Sequence, residues 1–159
     1  MHIYSFEKLD VWQKGRFFRK DVYILTKKFP KDEIFGLTSQ IKRSAGSIGD
    51  CLAEGSSRIT PKDQAHFFGI AYASAIETIN HVIGAQDLGY ITEEEYLSFR
   101  SKLDELTNKI NSLRKAVLKK IAFLKFALCM LNVWFSAQYK SVIVEWFNVR
   151  CNCKYYAFF

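Results

Sequence analysis

Few side chains in this sequence have the types and the spacing that catalysis or metal binding needs. The chain contains three histidines, and His81 follows Glu77 by four residues, so the two would share one face of a helix. Such a pair could supply half of a metal site, but no Glu-x-x-His motif is present on another helix to complete a di-metal centre in a bundle. We therefore interpret Glu77 and His81 as an ion pair on a helix surface and expect no metal site.

The four cysteines do not indicate a site either. Cys151 and Cys153 could bind a soft metal, but no third or fourth ligand follows at zinc-finger spacing. Cys51 has no neighbouring histidine to act as a base, so a small buried residue is favoured over a nucleophile. It is the single cysteine of residues 1–120, which excludes an internal disulfide there and fits a reducing compartment. The sequence thus predicts no catalytic residue, no cofactor and no enzyme.

Positive charge is the feature that points to a ligand. The formal net charge is +7 at pH 7, and phosphate contacts need Lys and Arg without any further motif. Arg16, Arg19 and Lys20 form one basic group. A second group lies near the predicted helix ends, and we predict that it forms a nucleic-acid-binding stripe: Lys42, Arg43, Arg58 and Lys62. A solvated helix face has the same composition and is the alternative interpretation.

Apolar periodicity predicts the elements that must position these side chains. A chain of 159 residues is expected to form one domain with a real core. Apolar residues recur at alternating spacings of three and four, which is the pattern of a helix-bundle seam, and no strand pattern precedes residue 120. The predicted helices are near 6–29, 34–55, 61–88 and 93–120. Short links between them predict an all-α, antiparallel, up-down-up-down four-helix bundle.

Local signals indicate where these helices begin and end. Thr60 precedes Pro61 as the N-cap of the third helix, and Thr92 with Glu95 forms a capping box for the fourth. Glycines are placed to end two helices in the left-handed conformation, at Gly55 for the second and at Gly89 for the third.

Glu54 lies near the end of the second predicted helix, where the helix dipole disfavours negative charge. It therefore needs a partner, and we expect an Arg or a backbone donor at a helix or subunit junction. We expect this role to be structural, because no acid or base surrounds Glu54.

Residues 121–159 differ from the rest of the chain. They hold 11 of the 25 aromatic residues and form a hydrophobic C-terminal tail, whose first part could extend the fourth helix. The apolar run 121–137 contains Lys125 and is marginal as a membrane span. We favour a recent extension without a function over a partner-binding element or one that contacts a membrane. Residues 139–147 favour extended structure on propensity. The N-terminus has no apolar signal region, and we expect a cytoplasmic protein.

Three separated motifs resemble the four-helix-bundle proteins of the 23S rRNA intervening-sequence family. They are Leu9-Asp-Val-Trp-Gln-Lys-Gly; Leu25-Thr-Lys-Lys-Phe-Pro with Glu33 and Gly36-Leu-Thr-Ser-Gln; and Gln40-Ile-Lys-Arg-Ser-Ala-Gly-Ser-Ile with Leu52-Ala-Glu-Gly and Arg58. The resemblance covers about residues 5–120. The chain departs from the family at 49–51, where Gly-Asp-Cys replaces a usual Pro and Asn, so roles tied to those two residues do not carry over.

The resemblance implies a bacterial protein that assembles as a ring, usually a pentamer, without established catalytic activity. It implies RNA or DNA as the ligand, with an adaptor that organises a protein partner, such as the reverse transcriptase of a retroelement, as the alternative. Structural roles fall to Gln40, Glu54 and Gly55. Apolar residues in excess of one seam per helix also favour a homo-oligomer, among them Trp12, Phe17, Phe67, Ile70 and Ile76.

Overall fold

The computed structural model describes residues 2–150, with side chains for residues 2–120 and Phe123. Within these residues there are four α-helices and no strand: α1 (Asp10–Leu25), α2 (Leu37–Ser57), α3 (Pro61–Asp87) and α4 (Glu93–Arg150). Short 3-10 helices lie before and after α1, at Ser5–Lys8, Thr26–Lys28 and Lys31–Ile34. The predicted all-α fold is confirmed. The chain divides after Lys120 into two compact units, which are described separately.

Contacts between neighbouring helices show how the first unit is arranged. Three ion pairs join α1 to α4 and a fourth joins the 3-10 turn after α1 to α4. The residue numbers fall on α4 as they rise before it: Asp10–Lys109, Lys14–Glu105, Asp21–Lys102 and Lys28–Glu95. Hydrogen bonds between α2 and α3 follow the same rule, at Ser47–Ser74 and Ser44–Thr78. Each of these helix pairs is therefore antiparallel.

The core lies between the four helices and is formed by the apolar seams predicted from periodicity. Each helix contributes large side chains that are buried, among them Phe18 and Val22 from α1, Ile48 and Leu52 from α2, Phe68 and Val82 from α3, and Leu103 and Ile110 from α4. A few buried polar groups bond within the core, since Thr78 donates to the Ser44 hydroxyl at 2.9 Å. Burial of these seams stabilises helices that would be marginal in isolation.

The second helix differs from its prediction at both ends. It begins at Leu37 instead of residue 34, because the Glu33 carboxylate accepts a hydrogen bond of 2.7 Å from the Leu37 N–H. It ends at Ser57 instead of residue 55. The predicted left-handed cap at Gly55 is wrong: Gly55 is buried inside α2, and Gly89 is the glycine with positive φ in the described residues.

The predicted caps of α3 and the predicted start of α4 are confirmed. The Thr60 hydroxyl accepts a hydrogen bond of 3.1 Å from the Asp63 N–H, and Pro61 opens α3. Gly89 follows α3 with φ of 71°, a left-handed conformation that glycine adopts readily. The capping box of α4 is present in both directions, at 3.1 Å from the Thr92 N–H to Glu95 and 3.2 Å from the Glu95 N–H to Thr92.

The first helix is shorter than predicted, since α1 gives way to a 3-10 turn at Thr26, ahead of Pro30. The fourth helix is longer and continues through residues 121–150. Residues 139–147 are therefore helical, and the extended structure expected from their propensity is wrong, because β-propensity depends strongly on context. In the described residues, no helix combines the length and the apolar character that crossing a membrane requires.

Candidate nucleic-acid interface

Two cationic side chains, one from α1 and one from α2, lie over the ring of an exposed tyrosine on α1. The Tyr23 residue is 43% exposed. The guanidinium carbon of Arg19, one turn earlier on α1, lies 5.9 Å from the centre of the ring. The Nζ atom of Lys42 reaches the same ring from α2, at 5.2 Å. Both distances fall within the range of cation–π attraction, so the ring holds positive charge at the junction of α1 and α2.

Small residues on α2 allow Arg19 to lie across that helix. A Cβ atom built at Gly46 would stand only 3.5 Å from the guanidinium carbon of Arg19, so the arginine packs directly against the glycine. The Asp50 carboxylate lies 3.6 Å from the same guanidinium. The side chain of Arg19 is therefore held between α1 and α2 while still 46% exposed.

Further basic side chains surround this group. Arg16, Lys20 and Lys27 are exposed, and together with Arg19, Tyr23 and Lys42 they define what we call the basic surface. A cleft of about 80 Å³ adjoins it between α1 and α2, lined by Trp12, Gly15, Arg16, Arg19, Ala45, Gly49 and Asp50. Among the described residues, Arg19 is the one member of the basic surface that forms an ion pair. The other cations are open to an anionic ligand.

The four residues predicted to bind nucleic acid have different surroundings. Lys42 lies on the basic surface. Its neighbour Arg43 contacts α3 instead, at 3.2 Å from the Glu77 carboxylate, and also donates to Gln40 at 2.9 Å. Arg58 forms an ion pair with Glu54 and lies 4.4 Å from the centre of the Phe67 ring.

Lys62 is exposed on the first turn of α3 and has no ion pair within the described range. The structure thus brings Lys42 together with the basic group of α1. It separates Lys42 from Arg43, and the role of Arg43, Arg58 and Lys62 in binding stays a prediction.

The residues expected to have structural roles make specific contacts. Glu54 bonds to Arg58 one turn later, which supplies the arginine partner that its position near the helix end requires. Gln40 accepts from Arg43. Gly55 packs against α3, since a Cβ there would lie 2.7 Å from the Phe68 ring. The glycine therefore sets the close approach of the two helices.

The Glu77–His81 pair is more enclosed than a surface pair. The His81 Nε2 atom is buried without a hydrogen-bond partner and lies 3.5 Å from Glu77, which also contacts Arg43. No cluster of three or more metal-ligating side chains occurs in the described residues. Cys51 is half-buried beside the core, and its sulfur lies 3.6 Å from the Ser47 hydroxyl.

Sequence periodicity missed two adjoining grooves between α1 and α4. They measure about 230 and 220 Å³, and both are lined by Asp21 and Lys102, which form an ion pair of 2.6 Å. Phe17 lines one groove and Ile24 the other. Helix wheels could have identified Phe17 and Ile24 as one exposed face, since they are seven residues apart. The pairing of α1 with α4 could not be known from them.

Comparison with known proteins places the chain beside one family and beside solved structures. A family model described as "23S rRNA-intervening sequence protein" matches residues 7–112, which include α1, α2, α3 and the first part of α4. The crystal structure of a protein of unknown function from the S23 ribosomal protein family of Bacteroides thetaiotaomicron is similar, with a TM-score of 0.62 and 27% identity. That match covers 66% of this chain and 95% of the other. No curated protein matches the chain.

Proposed function

Because this chain belongs to the 23S rRNA-intervening sequence protein family, we propose that it is a non-catalytic bundle protein that binds nucleic acid through phosphate contacts. The names of the family and of the solved relative refer to ribosomal RNA and to a ribosomal protein. RNA is therefore the first ligand to test, and DNA is the second.

The observation that carries this proposal is the convergence of Arg19 and Lys42, from two helices, on the exposed ring of Tyr23. Cations held at fixed positions on a surface lose less freedom when they contact phosphates. Arg43 and Arg58 are less available, since each donates a hydrogen bond to a carboxylate, whereas Arg19 lies 3.6 Å from Asp50 and Lys42 forms no ion pair in residues 2–120. We therefore propose the basic surface as the principal phosphate-binding region, with Lys42 as the member that the sequence predicted.

Assembly into a ring, which we propose from the family resemblance, would repeat the basic surface once in each subunit. Linked copies raise the effective concentration of each further contact, so several weak sites together bind a long strand firmly. A long ligand should then bind more tightly than a short one that reaches a single subunit.

The proposal is tested by the salt dependence of RNA binding in two double variants that remove the same charge. Lys20→Gln with Lys42→Gln removes two unpaired cations of the basic surface, and Arg43→Gln with Arg58→Gln removes two paired ones. We expect the first variant to weaken binding to all sequences alike and to reduce the slope of log K against log salt by about 2, or about 1 for each lost phosphate contact. The second should reduce it less.

Three outcomes separate the possibilities. A larger loss in the Arg43 and Arg58 variant would move the site to the stripe predicted from sequence. Unchanged affinity and salt slope in both variants would show that the four substituted residues do not contribute to RNA binding. Little RNA or DNA binding by the unmodified protein at any salt concentration would favour the alternative, an adaptor that organises a protein partner such as a reverse transcriptase.

A further inference from the structure

We infer that the Tyr23 ring is a stacking platform for an unpaired base, so that the basic surface takes single-stranded nucleic acid in preference to a duplex. This inference rests on the proposed function and names the ligand class of the same surface. It adds to phosphate attraction a contact that charge alone does not supply.

The Tyr23 ring differs from the other exposed aromatic rings by the cations beside it. Several aromatic side chains of the first unit are exposed, among them Tyr4, Phe17 and Phe35, but in residues 2–120 these three have no Lys or Arg above their rings. In residues 2–120, ring faces with a Lys or Arg above them belong to Tyr23, Phe67 and Phe99, and of these Phe99 is buried and Phe67 is half-buried. Tyr23 is thus the exposed ring that is flanked by cations.

An unpaired nucleotide matches both the ring and the cations of this site. A nucleotide has a flat π face and a phosphate, and proteins that bind single strands combine aromatic platforms with a basic groove along the backbone. Arg19 and Lys42 lie over the ring within 6 Å of its centre, so a base that stacks on Tyr23 would displace them toward the phosphates on either side of it. In a duplex the bases stay stacked inside the helix and offer only phosphates to this surface.

A purely structural role of the Tyr23 ring predicts a different result. The ring could serve only to hold Arg19 and Lys42 in place, in which case its loss would affect every polyanion alike. The stacking role predicts a selective loss for the single strand. The matched control is Phe35→Leu, which removes another exposed aromatic, one that has no Lys or Arg above its ring in residues 2–120 and lies outside the basic surface.

The experiment measures affinity by fluorescence anisotropy for a short unstructured RNA and for a duplex with the same number of phosphates. The full chain is used, with the variants Tyr23→Leu, Tyr23→Phe and Phe35→Leu. We expect Tyr23→Leu to weaken single-strand binding about tenfold and to leave duplex binding and both salt slopes unchanged. Tyr23→Phe keeps the ring and should bind normally, as should Phe35→Leu. A 2-aminopurine base in the single strand should be quenched on binding, except by Tyr23→Leu.

Two failures are distinguishable. If Tyr23→Leu lowers the affinity for both RNAs equally, or for neither, the stacking inference is overturned while phosphate binding by the basic surface stands. If the unmodified protein binds neither ligand in a salt-dependent way, the proposed function and this inference fall together. Circular dichroism checks that each variant retains its helix content and melting temperature, which substitutions at an exposed position should preserve.

Discussion

Gly55 illustrates what a single atom does at the boundary between α2 and α3. The Cβ atom of any other residue there would stand 2.7 Å from one ring carbon of Phe68 and 2.9 Å from another. Phe68 is buried in the core, so its ring has little room to move away. Gly84 lies inside α3 and offers the opposite case, because a Cβ there would meet nothing within 4 Å.

Substitution by alanine should therefore change the free energy of unfolding in opposite directions at these two glycines. Gly84→Ala gains the helix propensity of alanine and should stabilise the fold by about 0.5–1 kcal/mol. Gly55→Ala gains the same propensity but overpacks the core, at a cost of about 1–3 kcal/mol, so a net loss near 1 kcal/mol is expected. Urea unfolding of both variants measures this. Equal stabilisation by both would show that Phe68 can shift freely.

Small side chains on α2 permit close helix packing, and Gly46 beside Arg19 and Gly55 beside Phe68 are two such contacts. Residue types alone could not indicate that the adjacent residues Lys42 and Arg43 contact α1 and α3 respectively. Direction around a helix depends on which neighbours pack against it, and that information is not local.

At the scale of the element, helix ends were predicted well where the signal is local. The Thr60 cap and the Thr92–Glu95 capping box depend on residues three apart in sequence, and both are present. The ends of α2 were predicted less well. A carboxylate before the helix sets its start, and Gly55 packs against Phe68 of α3 inside the helix instead of ending it, which is a tertiary contact.

The α4 capping box also makes a prediction about pH. The pKa of Glu95 is held below its ordinary value, first by the hydrogen bond from Lys28 and then by the Thr92 N–H. A carboxyl with a lowered folded-state pKa stabilises the fold fully above its unfolded pKa, and the contribution is lost as pH falls through the folded value. Because the pair is partly solvated, we expect about 0.5 kcal/mol.

The variant Glu95→Gln should lack this pH-dependent contribution to stability. Glutamine keeps the capping geometry but has no charge, so the variant should be less stable at neutral pH and should lose less stability in acid. Glu94→Gln removes the same charge from the same turn of α4 without touching Lys28. Urea unfolding between pH 3 and pH 7 compares them, and an identical pH dependence in both variants would contradict the role of the Lys28 pair.

At the scale of the whole four-helix unit, the contacts form a closed cycle. α1 packs between α2 and α4, and α3 packs between the same two, since Gly69 of α3 lies beside Arg114 of α4. α1 and α3 are therefore at opposite corners. Both carry exposed apolar side chains, at Phe17 and Ile24 on one and at Ile70 and Ile76 on the other. The sequence predicted the excess of apolar groups but not their opposite placement, which depends on the order of helices in space.

A ring needs two different patches on each subunit. A cyclic assembly of more than two copies joins two different patches, one from each neighbour, whereas a two-fold dimer joins a patch to itself. The exposed apolar side chains of α1 and those of α3 are candidates for two such patches. We therefore expect the apolar face of α1, beside the α1–α4 grooves, to contact the outer side of α3 in the next subunit.

Complementary variants test this junction in the full chain and in residues 1–120. We expect light scattering to show an oligomer of the unmodified protein at micromolar concentration, with five subunits by family resemblance. Phe17→Ser with Ile24→Ser removes the α1 patch, and Ile70→Ser with Ile76→Ser removes the α3 patch. All four side chains are exposed, so each variant should fold, but neither can close a ring.

The mixture of the two variants distinguishes this junction from any other. Each variant keeps the patch that the other lacks, so an equimolar mixture should form heterodimers joined by one intact junction and should assemble no further. Rings that persist in either variant alone would place the interface elsewhere on the bundle. A monomer of the unmodified protein at micromolar concentration would remove the ring, and with it the avidity that the proposed binding of long strands requires.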